Sequence, residues 1–531
     1  MRKKLLGIFL ILSIVVVCAM SFSACRHKET DSTNMVDFSQ ATVRQEIEGF
    51  GASSAWWSQI VGGSKNAEEI ASKLYSTDGL AMNIYRYNVG GGSKDVKDKD
   101  CYWEQDRLTE SFLKGENYHG TTHDELLAFV SDVNNYDFTK DANAQRQLKL
   151  SYDLGCIDNV ILFVNSPHYL MTKNGICRSS DGADDVDNLP EKNYDVFAKY
   201  LMVILKHFVD EGYPVTYVSP INEPQWDWSD NKQEGCHYEP ASCAKCLNVV
   251  YNALKEFNTT NGTNVKLDGF ESGNWNTKKH GNISRITDYL DAMQAYPYFK
   301  ELDHVSFHSY SSAGQKKVRT KFMKKIADYN IQVSCSEYCQ MSAGVNLKDF
   351  KSAQYLALVM SYDFSVLHSC TWEWWIAMSN ESTYNYEDGL MYTDWWKDND
   401  DVRISPRYYT MMHYSKFVQP GAKYLDITLE DKVSHLTIFD KWKTWYNNDG
   451  EKAKYADDLY NVFKNPDGSI VIVYDNITDD SYTWNFKEEI ASYTAYTSTD
   501  GKYMQPKSGE GVKSYTFPAN SITTVVINPK N

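Results

Sequence analysis

The stretch Pro214-Val215-Thr216-Tyr217-Val218-Ser219-Pro220-Ile221-Asn222-Glu223-Pro224-Gln225-Trp226 decides how the chain is read. An apolar, β-branched run ends in polar, proline and aromatic residues, and a helix-like pattern follows over 243–257. The same order of segments recurs in both directions from it. Runs of this kind occupy 46–57, 81–92, 159–171, 214–226, 265–275, 304–311, 331–341 and 369–378. Helical patterns lie between them at 67–75, 123–134, 144–154, 193–211, 243–257, 284–295, 318–328 and 349–367. Eight strand–helix alternations predict an α/β fold, a (β/α)8 TIM barrel over 48–420 with its helices outside. Beyond Gly421 short strand-like runs alternate with turns such as Asn465-Pro466-Asp467-Gly468 and Thr499-Asp500-Gly501. They predict a β-sandwich side domain over 421–531, to which residues 36–47 add one or two N-terminal strands.

Composition sets the class. Of 531 residues, 42% are hydrophobic and 23% charged, which suits a packed globular chain and excludes wholesale disorder. The formal charge is 54 − 70 = −16, so nucleic acid is not an expected partner: gripping phosphates takes clustered Lys and Arg. The 38 Tyr and 14 Trp suit sugar rings, which pair one apolar face with a rim of hydroxyls, although most are expected in the core.

Met1-Arg2-Lys3-Lys4 and the apolar run 5–20 form the charged and hydrophobic parts of an export signal, too short to span a bilayer comfortably. Ser21-Phe22-Ser23-Ala24-Cys25 resembles a bacterial lipobox, with Phe22 where Leu is usual. Residues 1–24 are therefore expected to be a lipoprotein signal peptide, Cys25 the lipid-attachment site and 25–35 a polar tether. The mature protein is expected to be anchored in a membrane by its lipid, facing the cell surface or periplasm. Removing Cys18 and Cys25 from the eleven cysteines leaves nine, so at least one thiol is expected to be free. Cys236-His237 and Cys243-Ala244-Lys245-Cys246 carry zinc-ligand residue types. The last two cysteines start a helical pattern and no second CxxC follows, so disulfides or buried thiols are the preferred reading.

In such barrels chemistry sits at the C-terminal strand ends. Glu223 ends the fourth strand and Glu337, in Ser334-Cys335-Ser336-Glu337-Tyr338, ends the seventh, three β/α steps on. Carboxyls on strands four and seven can face each other across the mouth, which suits glycoside hydrolysis. One gives a proton to the leaving oxygen while the other, ionised, attacks the anomeric carbon. Glu271, ending strand five, and Glu373, on strand eight, are weighed as contacts to sugar hydroxyls. Trp226, Trp275, Trp372 and Trp374 lie near strand ends, and one or two of them are expected to form a stacking platform. The loop 384–396 after strand eight, with Trp395-Trp396, is placed either at the cleft rim or over the barrel top.

Asn222-Glu223-Pro224 resembles the acid/base signature of the retaining (βα)8 glycosidase superfamily. The ordered set Gly49-Phe50-Gly51-Ala52-Ser53, Arg86-Tyr87-Asn88-Val89-Gly90-Gly91, Asn165-Ser166-Pro167, the Glu223 run, Ser336-Glu337-Tyr338 and Arg407-Tyr408-Tyr409 resembles glycoside hydrolase family 30 over residues 36–530. Trp56-Trp57, Asn88-Val89-Gly90-Gly91-Gly92 and Gln233-Glu234-Gly235-Cys236 are most similar to its endo-β-1,6-galactanase branch. His168-Tyr169 stands where the family carries a Trp after the proline, and 92–158 is a long insertion. The resemblance implies Glu223 as general acid/base and Glu337 as nucleophile, with carboxyl groups about 5–5.5 Å apart. Arg86 is the expected cation for Glu337, Asn222 a contact to the sugar 2-hydroxyl and Tyr310 a donor to Glu337. Asn88, Asn165 and His308 are placed at the same mouth, and for His308 a buried structural role weighs equally.

The implied activity is retaining, endo-acting hydrolysis of a β-1,6-linked galactan or arabinogalactan side chain, with polysaccharide as partner. No cofactor and no metal is required, and nothing in the sequence demands more than a monomer. Rival readings are a β-1,6-glucanase, a xylanase or an exo-β-glycosidase of the same family, and a non-catalytic surface lipoprotein that captures glycan.

Overall fold

The structure, a computed structural model, describes residues 35–96, 105–179, 187–229, 233–274, 284–310, 316–340, 345–382, 386–397, 400–427, 429, 437–439, 453–455 and 459–529. The expected signal peptide, Cys25, nearly all of the tether, Trp275 and residues 384–385 lie outside these.

Eight parallel strands close into a ring. In chain order they are Gly49–Ser53, Ile84–Val89, Asn159–Val164, Val215–Ser219, Lys266–Leu267, His304–His308, Gln332–Tyr338 and Ser369–Asn380. The fourth and fifth continue, after breaks at Pro220 and Gly269, as Ile221–Asn222 and Phe270–Ser272. Their first halves pair with each other, and so do their second halves. The eighth strand pairs with the first, which closes the barrel. Strand two shows why these short sequences build it: all six residues are buried. The rings of Tyr85 and Tyr87 meet Tyr75 and Phe208 on the surrounding helices. Arg86 and Asn88, one position out of phase, reach side chains of other strands across the interior.

The helices on the outside are Ala67–Tyr75, Ala142–Tyr152, Tyr194–Asp210, Pro240–Asn261, Ile286–Met293, Lys316–Ile326, Phe350–Ser365 and Pro406–Ser415. The sequence reading differs here in one respect. Its pattern at 123–134 is an additional helix, His123–Ser131, inside the insertion after strand two, while Pro406–Ser415 carried no helical expectation. That helix is buried nearly all round, so its apolar residues show no one-sided stripe.

The side domain has its own core around Trp484, Tyr474 and Phe517. Its sheet recruits both ends of the chain: Thr42–Ile47 pairs with Ala422–Asp426, and Met35–Val36 pairs with Tyr482–Thr499. It is docked through polar contacts as well as apolar ones. His413 of the last barrel helix bonds Thr524 at 2.8 Å and Ser498 at 2.9 Å, and burial pushes its imidazole down to about 3, so it docks as a neutral ring.

Candidate active site

Glu223 follows the Ile221–Asn222 segment with φ +45°, a left-handed backbone that a non-glycine residue adopts only when its surroundings enforce it. The enforcement is visible: its N–H donates to the Glu271 carbonyl at 2.8 Å, and its own carbonyl accepts from the Trp228 indole at 3.1 Å. The turn sends its side chain across the mouth toward strands six and seven. His308 Nδ1 lies 2.6 Å from Glu223 Oε1 and 3.4 Å from Glu337 Oε1. One oxygen of Glu223 and one of Glu337 stand within 4.8 Å of each other.

Glu337 is held from two sides. Arg86 donates to its Oε2 at 3.0 Å and the Tyr310 hydroxyl donates to its Oε1 at 2.8 Å. Arg86 also donates to Glu271 at 2.7 Å and to Asn222 Oδ1 at 3.3 Å, with its guanidinium 3.6 Å from the Phe163 ring centroid. Asn222 in turn donates to Asn165, and Asn165 to Asn88, each at 3.2 Å. Strands two, three, four, five, six and seven thus meet in one hydrogen-bonded array.

The charges in this array nearly balance. Burial pushes Glu337 up, while His308 and Arg86 pull it back. Burial also acts to raise Glu271, but Arg86, His308 and Ser219 outweigh it and hold that carboxyl at about 2. For His308 burial acts downward, yet the charges of Glu337 and Glu223 prevail and push it up to about 10. Two cations, Arg86 and His308, thus face three carboxyls, of which Glu271 is held ionised. Glu337 accepts from two donors that favour its anion, whereas Glu223 is the more open to solvent, its side chain 12% exposed.

Several residues fall differently from the sequence reading. Glu271 touches no open surface; it is a buried clamp on Arg86, His308 and the Ser219 hydroxyl. Trp372 and Trp374 are fully buried, their indoles donating to Asp363 and to the Asp388 carbonyl, so neither offers a face to a sugar. Side chains on strand eight that point outward end beneath the helices, which a strand-end position alone does not reveal. Trp226 is half-buried beside Glu223, and Trp228, which sequence reasoning passed over, is its equally half-buried neighbour. Glu373 is buried with neither carboxyl oxygen hydrogen-bonded, and burial pushes it far up, which leaves a neutral acid beneath Arg86. His168 is likewise buried, pushed down to about 3 by burial. Glu234, noted only within a motif, staples the loop after strand four to the loop after strand two. Its carboxylate accepts from the N–H groups of Gly91 at 3.0 Å and Ser93 at 3.1 Å and from the Thr109 hydroxyl at 2.6 Å. Cys236, Cys243 and Cys246 are buried free thiols.

Gly273 sets how closely strand five approaches. A Cβ there would stand 2.5 Å from Trp226 Nε1 and 3.0 Å from Glu223 Cδ. Gly273→Ala is therefore expected to displace both side chains and lower turnover by roughly a hundred-fold, with little change in thermal midpoint. A kinetic assay beside a melting curve tests it, and unaltered turnover would show that the Glu223 position tolerates the shift.

Glu223, His308 and Glu337 have residue types and spacing compatible with a metal ion. The 2.6 Å contact between His308 and Glu223 is a hydrogen bond, however, and Glu337 already accepts from Arg86 and Tyr310. The group reads as a proton-handling pair with fixed counter-charges.

Comparison with known families decides the kinship. Residues 33–392 match the model of O-glycosyl hydrolase family 30, and residues 450–525 match the family 30 β-sandwich domain. The chain belongs to glycoside hydrolase family 30. Its (β/α)8 barrel and β-sandwich are those of that family. Part of the chain is similar to an exo-β-1,6-galactobiohydrolase of Bifidobacterium longum subsp. longum, 26% identical over 34% of this chain and 14% of that one. The chain thus spans far less than the full length of this relative. Among solved structures, a conserved exported protein from Bacteroides fragilis superposes with TM-score 0.75 at 23% identity, covering 93% of this chain and 99% of that one. Xylanase C of Talaromyces cellulolyticus superposes with TM-score 0.64 at 17% identity, covering 93% and 99%. An endo-β-1,6-glucanase superposes with TM-score 0.62 at 15% identity, covering 94% of each chain. These likenesses establish the shared fold.

Proposed function

We propose that this family 30 hydrolase cleaves a β-1,6-linked galactan, or arabinogalactan side chains, in endo fashion and with retention at the anomeric carbon. The observation that carries the reading is the pair of facing carboxyls, with oxygens within 4.8 Å, one clamped by Arg86 and Tyr310 and the other beside solvent. That separation suits direct attack, since inverting enzymes keep their carboxyls about 6.5–9.5 Å apart to admit a water.

In the first step Glu337 attacks the anomeric carbon while Glu223 gives its proton to the departing glycosidic oxygen, forming a glycosyl ester and releasing the leaving chain. In the second, Glu223 takes a proton from water, which displaces Glu337 and restores both groups. Asn222 uses one amide N–H on Asn165 and keeps the other for the sugar 2-hydroxyl, a contact that tightens as positive charge develops. Trp226 and Trp228 supply aromatic faces beside Glu223.

The β-1,6-galactan assignment rests on the motifs of the galactanase branch and on the activity named for the Bifidobacterium relative. The Met1–Cys25 signal supports an exported, lipid-anchored monomer at the cell surface or facing the periplasm. The test is reducing-end release by the purified protein on β-1,6-galactan, de-arabinosylated arabinogalactan, β-1,6-glucan and xylan, with product lengths and the anomer first formed read by NMR. Release of mixed oligomers from galactan as the β anomer is expected. A single small product would make the enzyme exo-acting, an α anomer would sink retention, and cleavage of another glycan alone would move the substrate.

A further inference from the structure

The end of the barrel opposite the catalytic carboxyls holds a second cluster of reactive side chains. Glu48 precedes strand one, His304 begins strand six and Cys370 is the second residue of strand eight, so all three gather where the strands begin. One donor atom from each lies within 4.8 Å of the other two. His304 Nδ1 stands 3.7 Å from Glu48 Oε1 and 3.9 Å from Cys370 Sγ.

Those distances are too long for good hydrogen bonds to a carboxylate and close to the edges of a metal polyhedron. With Zn–N and Zn–O bonds near 2.0–2.1 Å and Zn–S near 2.3 Å, tetrahedral angles place N and O about 3.4 Å apart and N and S about 3.6 Å apart. The donors need to move inward by only a few tenths of an ångström.

The surroundings prepare each donor. His304 Nε2 lies 3.0 Å from Asp268 Oδ1, an oxygen that also accepts from the Ser306 hydroxyl at 2.6 Å. An imidazole that donates Nε2–H to a carboxylate presents its Nδ1 lone pair on the other side, toward Glu48 and Cys370. This carboxylate–histidine pairing is how proteins orient metal-binding imidazoles. The Tyr217 hydroxyl stands 3.2 Å from Glu48 Oε2 and 3.0 Å from Asp303 Oδ2, on the side of Glu48 away from the Oε1 that faces His304. The Glu48 N–H donates to the Cys370 carbonyl at 2.8 Å and fixes the spacing of these two donors. Cys370 and His304 are buried, whereas the Glu48 side chain is 28% exposed, so a fourth position is reachable by water.

We propose that Glu48, His304 and Cys370 bind one zinc-class divalent ion at the base of the barrel, with water as fourth ligand and Asp268 holding the imidazole. Binding displaces the proton of the Cys370 thiol and any proton on His304 Nδ1 to solvent, and forms the Zn–S and Zn–N bonds in their place. The ion ties strands one, six and eight together and takes no part in glycoside cleavage.

The test uses the full chain, stripped with chelator and then titrated with zinc and, separately, with cobalt(II). One equivalent of zinc is expected to bind and raise the thermal midpoint, and cobalt is expected to give a thiolate charge-transfer band with tetrahedral d–d absorption. Cys370→Ser is expected to remove the charge-transfer band and Asp268→Asn to weaken zinc roughly ten- to a hundred-fold. Glu48→Gln changes a partly exposed residue and is expected to fold; it too weakens zinc while hydrolysis with saturating substrate is retained. A stripped wild type that binds no zinc overturns the proposal, as does stoichiometric binding unaffected by Glu48→Gln and Cys370→Ser, which would assign the ion to other thiols.

Discussion

Glu337→Gln is expected to lower turnover on every substrate by a factor on the order of 10⁴ or more, because it replaces the carboxylate proposed to attack the anomeric carbon with a weakly nucleophilic amide. The amide preserves shape and can still accept from Tyr310, and Arg86 keeps its contact to Glu271, so the fold should persist. Glu223→Gln should behave differently, and the contrast separates the two roles. Without a proton donor, cleavage of polysaccharide is expected to fall by about 10²–10⁴. An aryl glycoside with a good leaving group needs no proton to depart, so its first step should survive and the glycosyl ester should accumulate as a burst. Azide, a nucleophile that needs no general base, should then restore turnover in Glu223→Gln and leave Glu337→Gln silent. Equal losses on both leaving groups in both variants would remove the assignment.

The sequence carried the barrel because short, largely buried β-branched runs closed by polar residues alternate eight times with helical patterns, as a parallel sheet covered by helices requires. It carried the placement of Glu223 and Glu337 across one barrel mouth, because positions at strand ends follow from counting β/α steps. What it did not carry was depth. Glu271 and Trp372 also end or line strands, but whether such a side chain faces the cleft or lies beneath it depends on strand phase and on the breaks at Pro220 and Gly269. These breaks shift the lower halves of strands four and five against the upper ones, so counting along the chain loses register there. The Glu48–His304–Cys370 cluster was invisible for a related reason: its members come from three strands, 256 residues apart between Glu48 and His304 (304 − 48) and 66 between His304 and Cys370 (370 − 304), and only barrel closure joins them.

Arg86→Ala is expected to have the largest effect on stability, about 3–5 kcal/mol, because it strands Glu271 and Glu337 without their buried cation. The sign of the pH effects follows from the two carboxyls. Arg86 opposes the upward push of burial on Glu337, so its loss should raise that pKa further. In the proposed mechanism Glu337 must be ionised to attack, and the acidic limb of kcat/KM should therefore move to higher pH. Glu271 is held at about 2 against an ordinary 4.5, and it contributes stability that is present above 4.5 and lost as pH falls through about 2. The stability gap between wild type and variant should thus be widest near neutral pH and narrow over that acidic window. Arg86→Lys keeps a charge but lacks the planar fork that reaches Glu337, Glu271 and Asn222 together. It should fold more nearly like wild type, shift the limb less and still lose turnover through misplacement of Glu337. If Arg86→Ala leaves the acidic limb where it is, some other group keeps Glu337 ionised, and His308, 3.4 Å from its Oε1, becomes the residue to change next.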